Sequence, residues 1–159
     1  MSNDTKTLQW SDAMLLGHGP IDETHEEFVI VVTELQHCTD ATAVACLAAV
    51  ERHLDAHFSM ELELMDSTAF PNRDCHMDEH QKVSDAVHQV HELANVGEVS
   101  LDEIKSLAQA LVDWFPGHAD YMDSALSAWV NKQLYGGKPL VLRRNLTLGE
   151  SRVPDQRAA

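Results

Sequence analysis

The sequence predicts an all-α fold, an antiparallel up-down-up-down four-helix bundle, and three observations carry that expectation. Apolar residues recur at the three-and-four spacing of amphipathic helices in four successive segments, strand-like alternation is almost absent, and the linkers between segments are short. Short connections make sequential helices antiparallel neighbours.

The first helix is expected from about Asp22 to Gln36, with Phe28, Val31, Val32 and Leu35 on one buried face and Glu26, Glu27 and Glu34 filling much of the rest. The second runs from about Thr42 to Met65, with Leu47, Val50, Leu54, Phe58 and Met65 on its stripe and Asp40 as N-cap. Phe70-Pro71-Asn72 breaks the chain. The third, from about Asp74 to Asn95, carries Val83, Val87, Val90 and Ala94, and Gly97 stops it. The fourth opens on Ser100-Leu-Asp-Glu103, a capping-box pattern. It carries Ile104, Leu107, Leu111, Trp114, Ala125 and Trp129 until Gly136-Gly137 ends it. Residues 1–20 read as an irregular arm whose Trp10 packs on the bundle, 21–136 as the bundle, and 137–159 as a short basic tail, flexible and solvated.

A chain of 159 residues, 44% hydrophobic, can bury a core that folds without disulfides or a structural metal, so any metal serves function first. Cys38, Cys46 and Cys75 are too few and too scattered for a disulfide framework or a zinc-thiolate site. The longest apolar run, Ala43–Val50, is far too short to span a bilayer, and the N-terminus lacks the features of a secretory leader. A reducing cytoplasm fits these features. Residues 1–131 hold five basic against 24 acidic side chains, net −19, whereas 132–159 hold six against two, net +4. A body that acidic is repelled by nucleic-acid phosphates and anionic membranes, so neither is an expected partner. The basic tail is the one segment with the charge to meet an acidic protein.

The chemistry lies in histidines on inward faces. His57 sits on the buried stripe of the second helix with Glu61 one turn on. A buried carboxylate without a partner is costly, and a metal ion is one such partner. His76 and His80 repeat the spacing on the third helix, where two imidazoles one turn apart can hold one ion. His25 precedes Phe28 by one turn on the first helix, and His118 follows Trp114 by four residues on the fourth. Five imidazoles with one or two carboxylates exceed what a zinc site uses. They suit a pair of octahedral ions in a bundle core, and the lack of sulfur ligands favours iron or manganese. Asp123 fits less simply, because five residues along an ideal helix turn it about 140° from His118, so the pair requires a distorted turn. Pro116 should kink the helix just there. His53, although four residues before His57, shares no pattern with the other helices and reads as a bystander; His88 and His91 read as partly exposed, His18 and His37 as loop and helix-end residues, and Cys75 as a small buried hydrophobe.

The strings Ile21-Asp-Glu-Thr-His25, His57-Phe-Ser-Met-Glu61, His76-Met-Asp-Glu-His80 and Trp114-Phe-Pro-Gly-His118-Ala-Asp-Tyr-Met-Asp123, in this order on four helices, resemble the signature of the hemerythrin family and its single-domain bacteriohemerythrins. The resemblance spans roughly residues 8–130. It implies two iron ions in a non-haem di-iron centre with a bridging oxo or hydroxo group. His76, His80 and His118 would hold one ion, His25 and His57 the other, with Glu61 and Asp123 bridging. The second ion would keep an open position for reversible O2 binding inside an apolar pocket, with Phe58 and Trp114 as expected walls. The implied protein is an O2 binder and not an enzyme, and a monomer, with a protein partner reached through the basic tail. A di-iron enzyme such as a peroxidase, a nitric oxide reductase or a ferritin-like oxidase is the competing class. Ferritin-like sites use two Glu-x-x-His motifs, and only Glu34-Leu-Gln-His37 is present; HExxH is absent, which argues against zinc proteolysis. A purely structural bundle leaves a core-facing Glu61 unexplained unless His57 satisfies it.

Overall fold

Local capping signals set the helix ends in the computed structural model, which describes residues 5–136. Helix α1 (Gly19–Gln36) begins with Pro20 in its first turn, where the missing N–H costs nothing. The Asp22 carboxylate accepts from the Leu16 and Gly17 amides at 2.7 and 3.1 Å, which ties the arm to the helix. Helix α2 spans Ala43–Ser67 and is preceded by Thr42, not capped by Asp40. The Thr39 amide donates to Thr42 Oγ1 at 2.9 Å, closing a turn that leaves Asp40 exposed outside the helix. Helix α3 (Arg73–Asn95) ends as the sequence predicts, at Gly97 with φ +72°. The Glu98 amide reaches Leu93 O at 2.9 Å and the Gly97 amide reaches Ala94 O at 3.2 Å, the paired bonds of a Schellman close.

The Ser100–Glu103 capping box opens α4 (Leu101–His118), with both reciprocal bonds formed. This arm does not remain an ordinary α-helix. Pro116 lies within α4, and after His118 the backbone widens into a π turn, Ala119–Asp123, before α5 (Ser124–Tyr135) resumes the course to Gly136 at φ +65°. Together α4, the π turn and α5 form the fourth arm of the bundle, and the predicted all-helical four-helix architecture stands.

The four arms pack around two apolar clusters. The larger includes Phe28, Val32 and Leu35 of α1, Leu47, Val50, Leu54 and Phe58 of α2, Val87 of α3, and Ile104, Leu111, Val112 and Phe115 of α4. Trp10 of the arm packs against it, as expected. The smaller holds Ile21, Met65, Phe70, Leu126 and Val130. Along the helices the sequence passes from one cluster to the other through His25, through His57 and Glu61, through His76 and His80, and through His118 and Asp123. A layer of buried ionisable groups therefore separates two hydrocarbon cores.

Two further details depart from the sequence reading. On α4 the buried face runs through Ala108, Val112 and Phe115, with Leu107 and Trp114 half-buried at its edge. Cys75 is exposed, and all three cysteines are free. The basic tail, 137–159, lies outside the described residues. Among the described residues no helix is long and apolar enough to cross a membrane.

Candidate metal centre

All seven residues singled out from the sequence meet in that layer. His25, His57, His76, His80 and His118 are nearly inaccessible, and Glu61 and Asp123 are fully so at 0% exposure. His57 and Glu61 reach the interior from one face of α2, His76 and His80 from one face of α3, and His25 from α1. The π turn answers the 140° problem: i→i+5 pairing brings residues five apart into register, so His118 and Asp123 face the same point.

The two carboxylates divide their oxygens in the same manner. Glu61 Oε1 lies 2.8 Å from His57 Nε2, whereas its Oε2 lies 3.2 and 3.3 Å from the Nε2 atoms of His76 and His80. Asp123 Oδ2 lies 2.8 Å from His25 Nε2, whereas its Oδ1 lies 3.0 and 3.1 Å from those of His76 and His118. Two sets of donor atoms result, each compact enough for one ion: His76, His80 and His118 with both carboxylates, and His25 and His57 with both carboxylates.

Hydrogen bonding among these groups is incomplete. His76 Nε2, Glu61 Oε2 and Asp123 Oδ1 are buried, converge on one point and have no well-aligned hydrogen-bond partner. His80 Nε2 and His118 Nε2 face each other at 3.1 Å, where two neutral lone pairs would repel unless one nitrogen carries the proton. A cation between them satisfies every one of these atoms at once, so the donor set fits a metal better than it fits itself.

The electrostatics agree. Burial and the neighbouring Asp123 push the Glu61 carboxyl up, but the imidazoles of His57, His76 and His80 outweigh them and hold it below the ordinary carboxylate range. Burial likewise opposes ionisation of Asp123, and His118, His25 and His76 reverse it. For His76, burial pushes down, but the two carboxylates beside it raise it to about 9. Burial dominates at His80 and lowers it. Two anions held ionised in a dry interior are a natural counter-charge for divalent ions.

Aromatic side chains seal the layer. Phe58 stacks on His80 with centroids 3.7 Å apart, and Trp114 stacks on His118 at 4.4 Å. These two residues, expected at the pocket of the two-histidine group, thus chiefly cover the three-histidine group. The wall beside His25 is Phe115, edge-on at 5.0 Å and stacked on Phe28 at 4.5 Å. Sequence reasoning misses Phe115 because the α4 periodicity centres on Trp114, one residue from the buried face. It also sets His53 aside; the structure buries that ring against His57, at 5.4 Å, and burial with the charges of His57 and His25 lowers it to about 4. His37 of the lone Glu-x-x-His motif is on the surface, its Nδ1 beside Thr33 O at 2.8 Å. His88 and His91 are outside the layer, where both meet Glu51.

Comparison with known proteins bears on this geometry. The family model of the hemerythrin HHE cation-binding domain matches residues 18–130. A bacteriohemerythrin of Ralstonia nicotianae (strain ATCC BAA-1114 / GMI1000) is 31% identical over 123 residues, which cover 77% of this chain and 88% of the relative. Among solved structures, hemerythrin variants with one leucine replaced by tyrosine or by alanine superpose with a TM-score of 0.71 at 18% identity, over 77% of this chain and 96% of theirs. The structural likeness speaks for the fold, and the family match with the bacterial relative places the chain: it belongs to the hemerythrin family.

Proposed function

We propose that His25, His57, Glu61, His76, His80, His118 and Asp123 hold two iron ions and that the protein binds O2 reversibly, for carriage, storage, delivery or sensing. The observation that supports this most is the division of each buried carboxylate between two histidine groups, one oxygen to each. A single-ion site has no use for that symmetry; a pair of ions sharing two bridges requires it. Bound there, an iron pair supplies the two electrons that O2 binding withdraws and returns.

The protein's own groups do the rest. Three imidazoles and two carboxylate oxygens offer five donors to one ion, and two imidazoles with two oxygens offer four to the other. With one donor fewer, the His25–His57 side would be the one with room for an exogenous ligand. Phe28 and Phe115 cover that side with hydrocarbon and would keep water and stray protons away from a ligand held there. The domain reading that accompanies this function is an arm over 1–20, the working bundle over 21–136 and a separate basic tail over 137–159.

The test is the visible spectrum of iron-loaded protein, reduced without oxygen and then exposed to air. A ligand-to-iron charge-transfer band that appears with air and vanishes on deoxygenation is the expected result. Iron that bleaches to the ferric state without a reversible band would contradict O2 carriage and point to redox enzymology.

A further inference from the structure

His53 stands one helical turn before His57 on α2 and has no place among the seven groups of the layer. Its side chain is 7% exposed. The ring meets His57 nearly edge-on at 5.4 Å between centroids and lies 6.1 Å from Phe28. Its Nδ1 faces α1, 3.7 Å from the exposed carboxylate of Glu27. Its Nε2 is buried and has no hydrogen-bond partner. A buried polar atom left unpaired is costly, and a leucine would fill the same space beside Phe28 without that cost. Packing gives no reason for a histidine here; a polar partner that arrives with the occupant of the site does.

Position narrows the partner. His53 lies on the side of the layer formed by His25 and His57, the four-donor side where an added ligand has room. The Nδ1–Glu27 separation is beyond hydrogen-bond length, so that contact does not fix which ring nitrogen carries the proton, and water at the exposed carboxylate can serve Nδ1 in either tautomer. We propose that His53 donates a hydrogen bond through Nε2 to a small anionic ligand held at the His25–His57 side of the metal pair, and so tunes which ligands that side retains. The inference rests on the di-iron reading above. It gives an otherwise apolar wall one directional polar contact, which stabilises a ligand that has gained negative charge more than a neutral one.

Azide, a small anion with lone pairs at its free end, is the probe. In the ferric, iron-loaded protein its affinity is read from the charge-transfer absorption it induces. His53→Leu is expected to weaken azide about two- to tenfold, the range one net hydrogen bond contributes, and His53→Gln, which keeps an N–H at similar reach, to recover most of the loss. The azide–iron stretching frequency should shift between H2O and D2O in the parent and the Gln variant and lose that shift in the Leu variant. Equal azide affinity and an unchanged isotope shift in His53→Leu would overturn the role, as would a Leu variant that takes up less iron, which would make His53 part of the site's construction instead. A parent protein that binds no iron would fail the di-iron reading first and this inference with it; a parent that shows the azide band separates the two.

Discussion

On one side of the layer, Phe28, Leu47, Leu54, Val112 and Phe115 are hydrocarbon packed on hydrocarbon. One turn further along the same helices, seven ionisable side chains are buried as completely, yet several of their atoms find no good partner. The first region stabilises the fold by leaving water, at roughly 25 cal/mol per Å2 of apolar surface. The second opposes the fold until an ion fills it. Stability and function are separable here by position along a helix, with one turn between them.

The largest expected effect is in the apolar region. Leu47→Ala should cost about 2–5 kcal/mol, and by the same amount with or without bound iron if the two regions are independent. Urea denaturation of both forms checks this, and a cost confined to the iron-loaded form would join the regions. Next comes the layer itself. Glu61→Gln keeps the shape and removes the charge, so iron should fall from two per chain toward one or none while the helical circular dichroism of the iron-free protein is retained; full iron content would remove Glu61 as a bridge. Away from both regions, Ser100→Ala opens the α4 capping box and should cost about 1 kcal/mol with iron content unchanged.

The smallest effect sharpens the contrast between buried and exposed histidines. Glu51 on α2 meets His88 and His91 of α3 at 2.6 and 2.5 Å. The bond to Glu51 raises His88, and the bonds to His88 and His91 lower Glu51. The raised imidazole contributes fully below 6.5 and fades as pH rises through its folded value, while the lowered carboxylate contributes above 4.5 and fades as pH falls. His88→Ala should therefore lower the melting temperature slightly between those limits and less at pH 9. A loss that is constant with pH would show that the contact acts by packing alone.

Much of this was legible in the residues. The apolar stripes of α1, α2 and α3, the Ser100 cap and the Gly97 stop depend on local spacing, which sequence displays directly. The ligand pairs one turn apart, His57 with Glu61 and His76 with His80, are legible for the same reason. Periodicity alone turns Asp123 the wrong way, and only the family resemblance points to it, because periodicity assumes a regular helix and the π turn is a departure from it. Phe115 was hidden by the choice of Trp114 as the inward aromatic, a rotation of one residue that only packing against Phe28 decides. His53 was hidden because its burial comes from α1 lying across it, a contact with no trace in the α2 sequence. Asp40 has the right chemistry for a cap, but the Thr39–Thr42 turn places it outside the helix.

The proposed function depends on two ions sharing Glu61 and Asp123. Mössbauer and magnetic measurements on the iron-loaded protein test it most directly. Two irons per chain are expected, inequivalent because one side offers three imidazoles and the other two, and antiferromagnetically coupled through their bridges. One iron per chain, or two that are magnetically isolated, would contradict it.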